Sequence, residues 1–209
     1  EPSHPAHAAR HAMAHPTAAL PMRLLAATAL ALVLASSPAA AEENAMQTLM
    51  QFDDGAGEPR WVAVNDGVMG GRSQGGPEVK GGALHFSGVL SLANNGGFSS
   101  VRTVGRSFDF TGIQAVVLRV KGDGRTYQLR LATDARFRGI TVSWGGEFAT
   151  VAGQWTEVRV PLATLRPSAH GMQLQGPPMD PSKVRELGLL LGDKREGPFA
   201  LEVDWIAVK

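Results

Sequence analysis

The sequence predicts an all-β fold, an antiparallel β-sandwich, on three observations. Short runs alternate apolar with polar side chains, the period of a half-buried strand; glycine-bearing turns separate them; and no window of the body sustains the 3.6-residue period of a helix long enough for a crossover. With 25 Gly and 13 Pro among 209 residues, the composition suits a turn-rich globular chain.

In chain order, Thr48 to Asp53 reads as a first strand ending in the turn Asp53-Asp54-Gly55. Ala83 to Leu92 is an apolar strand. Phe98 opens an alternating run with Ser99, Ser100 and Val101. Ala115 to Lys121 turns through Gly122-Asp123-Gly124 into Thr126 to Thr133, where Tyr127, Leu129 and Leu131 alternate with Gln128 and Arg130. Ile140 to Trp144 and Gln154 to Pro161 form another pair. Leu162 to Pro181 reads as a loop-rich crossing and Val184 to Leu191 as an apolar run. The last strand, Phe199 to Val208, is expected to put Phe199, Leu201, Val203 and Trp205 on one face, with Glu202 and Asp204 on the other.

Residues 1–41 stand apart from this body. Met22-Arg23 is a short positive start, Leu24 to Ala35 an apolar run of signal-peptide length, and Ala39-Ala40-Ala41 a small-residue cleavage site. The reading is therefore an upstream extension over 1–21, a signal peptide over 22–41, and one domain over 42–209. The extension carries His4, His7, His11 and His15 and is expected to be untranslated or disordered. The protein is then exported, to the bacterial periplasm or beyond, with no integral membrane segment in the mature chain. Without Cys there is neither a lipid anchor nor a disulfide.

Charge and residue types exclude several classes. Twenty Lys and Arg against 19 Asp and Glu produce no basic field for nucleic acid. The body holds two histidines: His85 sits mid-strand and His170 in the proline-rich loop, so no catalytic residue is assigned. An enzyme built on Asp66 or Arg102 would lack a neighbouring base, nucleophile or cofactor motif. Gly67 to Gly71 lacks the Lys-Ser/Thr ending of a phosphate loop. Asp53, Asp54, Asp66, Glu202 and Asp204 are the oxygen ligands a calcium ion would use, but Asp-Asp-Gly is ordinary turn chemistry. No metal ligand or cofactor is assigned, and calcium stays open as an alternative.

Function is expected instead at Trp61 to Arg102. WVAVNDGVMGGRS and NNGGFSSVR are polar, glycine-laden segments flanking one strand, with turn chemistry at Asn65-Asp66-Gly67 and Asn94-Asn95-Gly96-Gly97 and a close backbone approach at Gly70-Gly71. Those strings, with GLLLGDKREGPFALEVDWI (Gly188 to Ile206), resemble the complex I intermediate-associated protein 30 family across nearly all of Leu49 to Lys209. The resemblance implies a galactose-binding-like jelly roll and an assembly or chaperone-like factor. Known members help build the respiratory NADH:ubiquinone oxidoreductase in the mitochondrial matrix, whereas the leader here implies export.

The candidate binding set is Asn65, Asp66, Arg72, Ser73, Asn94, Asn95, Phe98 and Arg102, offering hydrogen bonds, planar charged forks and one apolar ring. The expected partner is a protein, such as a respiratory-chain subunit, or a small polar or sugar ligand. The second reading is a carbohydrate-binding module, which needs exposed aromatics. Trp61, Trp144, Trp155 and Trp205 all lie in or beside strands and read as core or edge packing; a row of them on one open face would favour sugar.

Processing is directly testable. Expressed with its leader in a bacterial host, the chain should be recovered from the periplasm with a mass that starts near Glu42. A cytoplasmic product retaining residues 22–41 would overturn the export reading.

Overall fold

The computed structural model describes residues 46–53, 59–176 and 178–209. The leader, the upstream histidines and the turn at Asp54-Gly55 lie outside these. Among the described residues there are thirteen strands: β1 (Gln47–Gln51), β2 (Arg60–Asn65), β3 (Gln74–Lys80), β4 (Ala83–Leu90), β5 (Ser99–Val104), β6 (Ala115–Lys121), β7 (Thr126–Phe137), β8 (Ile140–Ala149), β9 (Trp155–Pro161), β10 (Arg166–Ala169), β11 (Met172–Gln173), β12 (Glu186–Leu191) and β13 (Gly197–Val208). Among the described residues helix is confined to short 3-10 turns, and none of these is long and apolar enough to cross a membrane.

The expected antiparallel sandwich of jelly-roll type is what forms. A six-stranded sheet runs β3-β4-β13-β6-β9, with β1 also paired to β13. A seven-stranded sheet runs β11-β10-β8-β7-β12-β5-β2. Alternation sets which side chains face inward: Leu129 and Leu131 from β7 meet Leu187 and Leu189 from β12 in the core, while Arg130, Gly188 and Leu190 point away from it. Rings close the middle of the sandwich. Phe86 stands edge-on to Phe199 at 4.9 Å, and Tyr127 stacks on Phe148 at 6.1 Å. Burying a ring such as Phe86 stabilises the fold by about 2–3 kcal/mol through the water it releases.

β3 contains Gly75, Gly76 and Pro77; a strand on the sheet's rim tolerates a residue with no N–H to donate. The structure differs from the sequence expectation in two places. Within the expected loop crossing, β10 and β11 form a hairpin whose turn, His170-Gly171, takes φ of 46° and 76°. In β13 the register slips between Val203 and Trp205. This bulge turns Trp205 off the core face, so Ile206 and Val208 are buried in its stead and Trp205 is only half-buried.

One ionic knot ties the hairpin ends to this frame. Arg125 is 5% exposed and binds Asp193 through two parallel hydrogen bonds of 3.0 and 2.6 Å. It also donates to the carbonyls of Pro198 (3.0 Å) and Arg195. Removing one partner leaves a buried charge uncompensated. Arg125→Met should therefore destabilise the chain by about 3–5 kcal/mol in urea unfolding, and Arg125→Met/Asp193→Leu by distinctly less. Equal losses in the two variants would show that the pair is not coupled.

Candidate functional site

Asp66 organises the site. It begins a 3-10 turn, Asp66–Met69, directly after β2, and its carboxylate is fully buried. Four donors converge on it: Ser73 N–H (2.8 Å) and Ser73 Oγ (2.5 Å) from the first loop, then Gly97 N–H (2.6 Å) and Phe98 N–H (3.3 Å) from the second. Close approach of both loops is what makes this geometry available. A Cβ on Gly71 would stand 2.3 Å from the Asp66 Cγ, and one on Gly96 would stand 2.5 Å from its Oδ2. These glycines are therefore needed for contact with a side chain of the same chain. The positive φ expected at Gly67 falls at Gly70 (89°), and Asn94 and Asn95 both take φ of 58°.

The neighbouring candidates join the same lattice. Asn65 donates from Nδ2 to the Gly75 carbonyl (2.9 Å) and accepts from Ser99 Oγ (2.7 Å). Ser73 Oγ accepts from Ser91 N–H at 3.0 Å, and Asn94 Nδ2 reaches across to the Gly70 carbonyl at 3.1 Å. Asn65, Asp66, Ser73 and Asn94 thus hold the two loops together. Asn95 and Arg72 are exposed at the loop surface.

Phe98 and Arg102 belong to a second feature, a groove of about 680 Å³ on the outer face of the seven-stranded sheet. One wall is the pinned loop, with Val68 and Met69 exposed at 74% and 53%, and Phe98 beside them. Arg136, Ile140 and His170 line it as well. The floor is built by register. Arg102 in β5 pairs with Gly188 in β12, Gly188 with Arg130 in β7, Arg130 with Gly145 in β8, and Gly145 with Arg166 in β10. Arginine and glycine alternate across five strands. A Cβ on Gly145 would come within 2.8 Å of Arg130 Nη1, so the bare glycine is the shelf on which that guanidinium lies.

Charge on the floor is uneven. Glu186 faces Arg102 at 3.3 Å; burial pushes its carboxyl up, against the pull of Arg102. Arg130 has neutral partners, Ser143 Oγ, Ser168 Oγ (2.7 Å) and Gln128 Oε1 (3.3 Å). Burial and then nearby Arg102 lower its pKa. Sequence reasoning placed Arg130 on the outer side of a hairpin and passed over it, along with Glu186, Ser143 and Ser168. Cross-strand register brings these together, and the one local signal was a glycine inside each of two apolar strands, Gly145 and Gly188.

Other expectations also find their place. Glu202 and Asp204 are paired with Lys121 (2.9 Å) and Arg119 (2.7 Å) on the six-stranded sheet. Among the described residues, no three His, Cys, Asp or Glu side chains converge as a metal site would require. Trp61 and Trp144 are buried, while Trp155 is exposed on the opposite sheet, under Arg119 and Lys121.

Residues 50–203 match the family model for complex I intermediate-associated protein 30. Mitochondrial proteins of that name are similar: the mouse protein is 26% identical over 187 residues, covering 78% of this chain and 56% of its own length, and the Drosophila melanogaster protein is 26% identical over 129 residues, covering 54% and 43%. The chain thus spans about half the length of these relatives. Among solved structures, a family 11 carbohydrate-binding module of Clostridium thermocellum, solved with a mixed-linked β-1,3-1,4 tetrasaccharide, superposes with a TM-score of 0.55 at 12% identity. The match covers 78% of this chain and 94% of the module. A solution structure of a family 11 module gives 0.56 at 15% identity, covering 79% and 96%. Likeness at this level concerns the fold alone.

The Asp66 lattice carries a prediction about stability and pH. Burial pushes this carboxyl up, but the hydrogen bonds from Ser73, Gly97 and Phe98 outweigh it and hold the pKa below the ordinary 3.8. A depressed folded pKa means stability that is fully present above the unfolded value and lost as pH falls toward the folded one. Asp66→Asn would set an amide N–H against the Gly97 N–H or, flipped, against the Ser73 N–H, at a cost of about 2–3 kcal/mol near neutral pH. Urea midpoints from pH 6 down to 2 should fall more steeply for the wild type than for Asp66→Asn. Parallel curves would sink the assignment.

Proposed function

The chain belongs to the complex I intermediate-associated protein 30 family, and from that membership we propose that it is a non-enzymatic binding domain, holding a segment of a protein partner in the groove of the seven-stranded sheet. The observation that carries this reading is the pair Val68 and Met69. Large apolar side chains exposed beside a groove are characteristic of a surface that meets another molecule. Here they ride on a loop pinned through Asp66, so little ordering remains to be done on binding.

In this reading the two Asn/Gly-rich loops have distinct duties. Asn65, Asp66, Ser73 and Asn94 build the wall. Phe98 and Arg102 touch the partner, with Asn95 and Arg72 at its rim. The family's name supports a role in assembling a respiratory-chain complex, and the leader over residues 22–41 supports an exported version of that role, meeting a partner outside the cytoplasm. A sugar ligand is the competing occupant, supported by the resemblance of the fold to carbohydrate-binding modules. It is disfavoured by the absence of tryptophan from the groove lining among the described residues.

Site-specific photocrosslinking separates these readings. A benzophenone side chain at Met69 or Leu190 should capture one and the same protein in the native host, and the same probe at Trp155, on the opposite sheet, should not. Absence of any adduct from the groove positions, or equal capture from both faces, would overturn the proposal. Binding of the wild type on a glycan array would favour the sugar.

A further inference from the structure

Arg130 is a half-buried groove-floor cation that hydrogen-bonds to no acid, although Glu186 lies near enough to attract it. Its guanidinium lies over Gly145 and donates to two serine hydroxyls and a glutamine carbonyl. Among the described residues the one carboxylate lining the groove, Glu186, pairs with Arg102. A half-buried guanidinium hydrogen-bonded only to neutral partners is under-compensated, and an arriving anion supplies what they do not. Arg136 adds a second uncompensated cation at the rim, where its Nη1 donates to the Gly139 carbonyl and Thr141 Oγ1, each at 3.2 Å. The groove therefore carries Arg102, Arg130 and Arg136 against a single Glu186.

The opposite face of the sandwich is the internal comparison. There Lys121 and Arg119 are matched one for one by Glu202 and Asp204. An excess of positive charge is thus confined to the side that also exposes Val68 and Met69.

We propose that Arg130 is a carboxylate receptor, and that the groove selects an extended acidic peptide in which Asp or Glu side chains alternate with apolar ones. The carboxylate accepts from Arg130 above the Gly145 shelf, and the apolar side chains lie against Val68, Met69, Phe98 and Leu190. With Nη2 fixed by Ser143 and Ser168, the guanidinium is held in place and a remaining Nη1 or Nε proton can be donated to an incoming carboxylate. This inference rests on the protein-partner reading above and adds the chemistry of what the groove accepts.

The probes are two end-blocked synthetic peptides of equal length, one alternating Leu with Glu and the other Leu with Gln, titrated against the full chain by fluorescence anisotropy, with polygalacturonate as a third arm. The wild type should prefer the Glu peptide by about thirtyfold or more, a preference that shrinks as salt is raised. Arg130→Gln should make the two peptides bind alike while leaving the thermal unfolding transition cooperative. Arg136→Gln, an exposed rim change that no strand pairing needs, should reduce the preference several-fold, and Arg159→Gln on the other sheet should leave it intact. Equal binding of the two peptides by the wild type, or an undiminished preference in Arg130→Gln, would overturn the carboxylate receptor; groove crosslinks that persist would leave the protein-partner reading standing. Polygalacturonate bound through Arg130, with neither peptide bound, would overturn both.

Discussion

A buried carboxylate must be given donors, and in this chain the donors for Asp66 come from two loops that are far apart in sequence. Ser73 lies beyond the first turn, and Gly97 and Phe98 lie beyond β4. Meeting that one requirement fixes the entry to β3, the entry to β5 and the angle at which Val68 and Met69 stand over the seven-stranded sheet. It also dictates composition, because any side chain at Gly71 or Gly96 would occupy the space of the carboxylate itself. The two glycine-rich strings are thus two halves of one joint, and the groove wall is its by-product.

The two outer faces of the sandwich show how a chain with a net charge of only +1 can still distribute charge unevenly. On the six-stranded sheet, cross-strand ion pairs cancel charge locally and present a balanced, solvated face. On the seven-stranded sheet, a row of arginines is spaced by glycines, with Glu186 beside Arg102 and Glu147 further along the same face against Gln128. Net charge, read from composition, averages these two faces and conceals both. Electrostatic complementarity belongs to the face, which only the register defines.

Much of the fold was legible because alternation is a local signal: the pattern in Tyr127 to Leu131 announces both a strand and its inward side. The misread parts are those where a non-local fact overrides local chemistry. Part of the proline-rich crossing becomes the β10–β11 hairpin because β10 pairs with β8, and Trp205 leaves the core because one extra residue is accommodated opposite β6. The site divides in the same way. Asn65, Asp66, Asn94 and Asn95 could be singled out from turn chemistry, and they do meet at one end of the sandwich. Turn chemistry could not say that Asp66 would be sealed inside, nor that Arg130, Glu186, Ser143 and Ser168, drawn from different strands and the hairpin, would share a floor.

Resemblance of the sandwich to carbohydrate-binding modules raises the question of what a shared jelly roll can decide. Sugar rings are held by flat aromatic faces, and in this chain the tryptophans are elsewhere: Trp61 and Trp144 face the core, and Trp155 lies under Arg119 and Lys121 on the far sheet. The groove has aliphatic walls, one phenylalanine and guanidinium groups on its floor. Such a surface rewards a ligand that brings apolar side chains and negative charge together, as a peptide does and a neutral glucan does not. The scaffold fixes where the groove is, and the side chains on the loops and strand faces determine what it accepts.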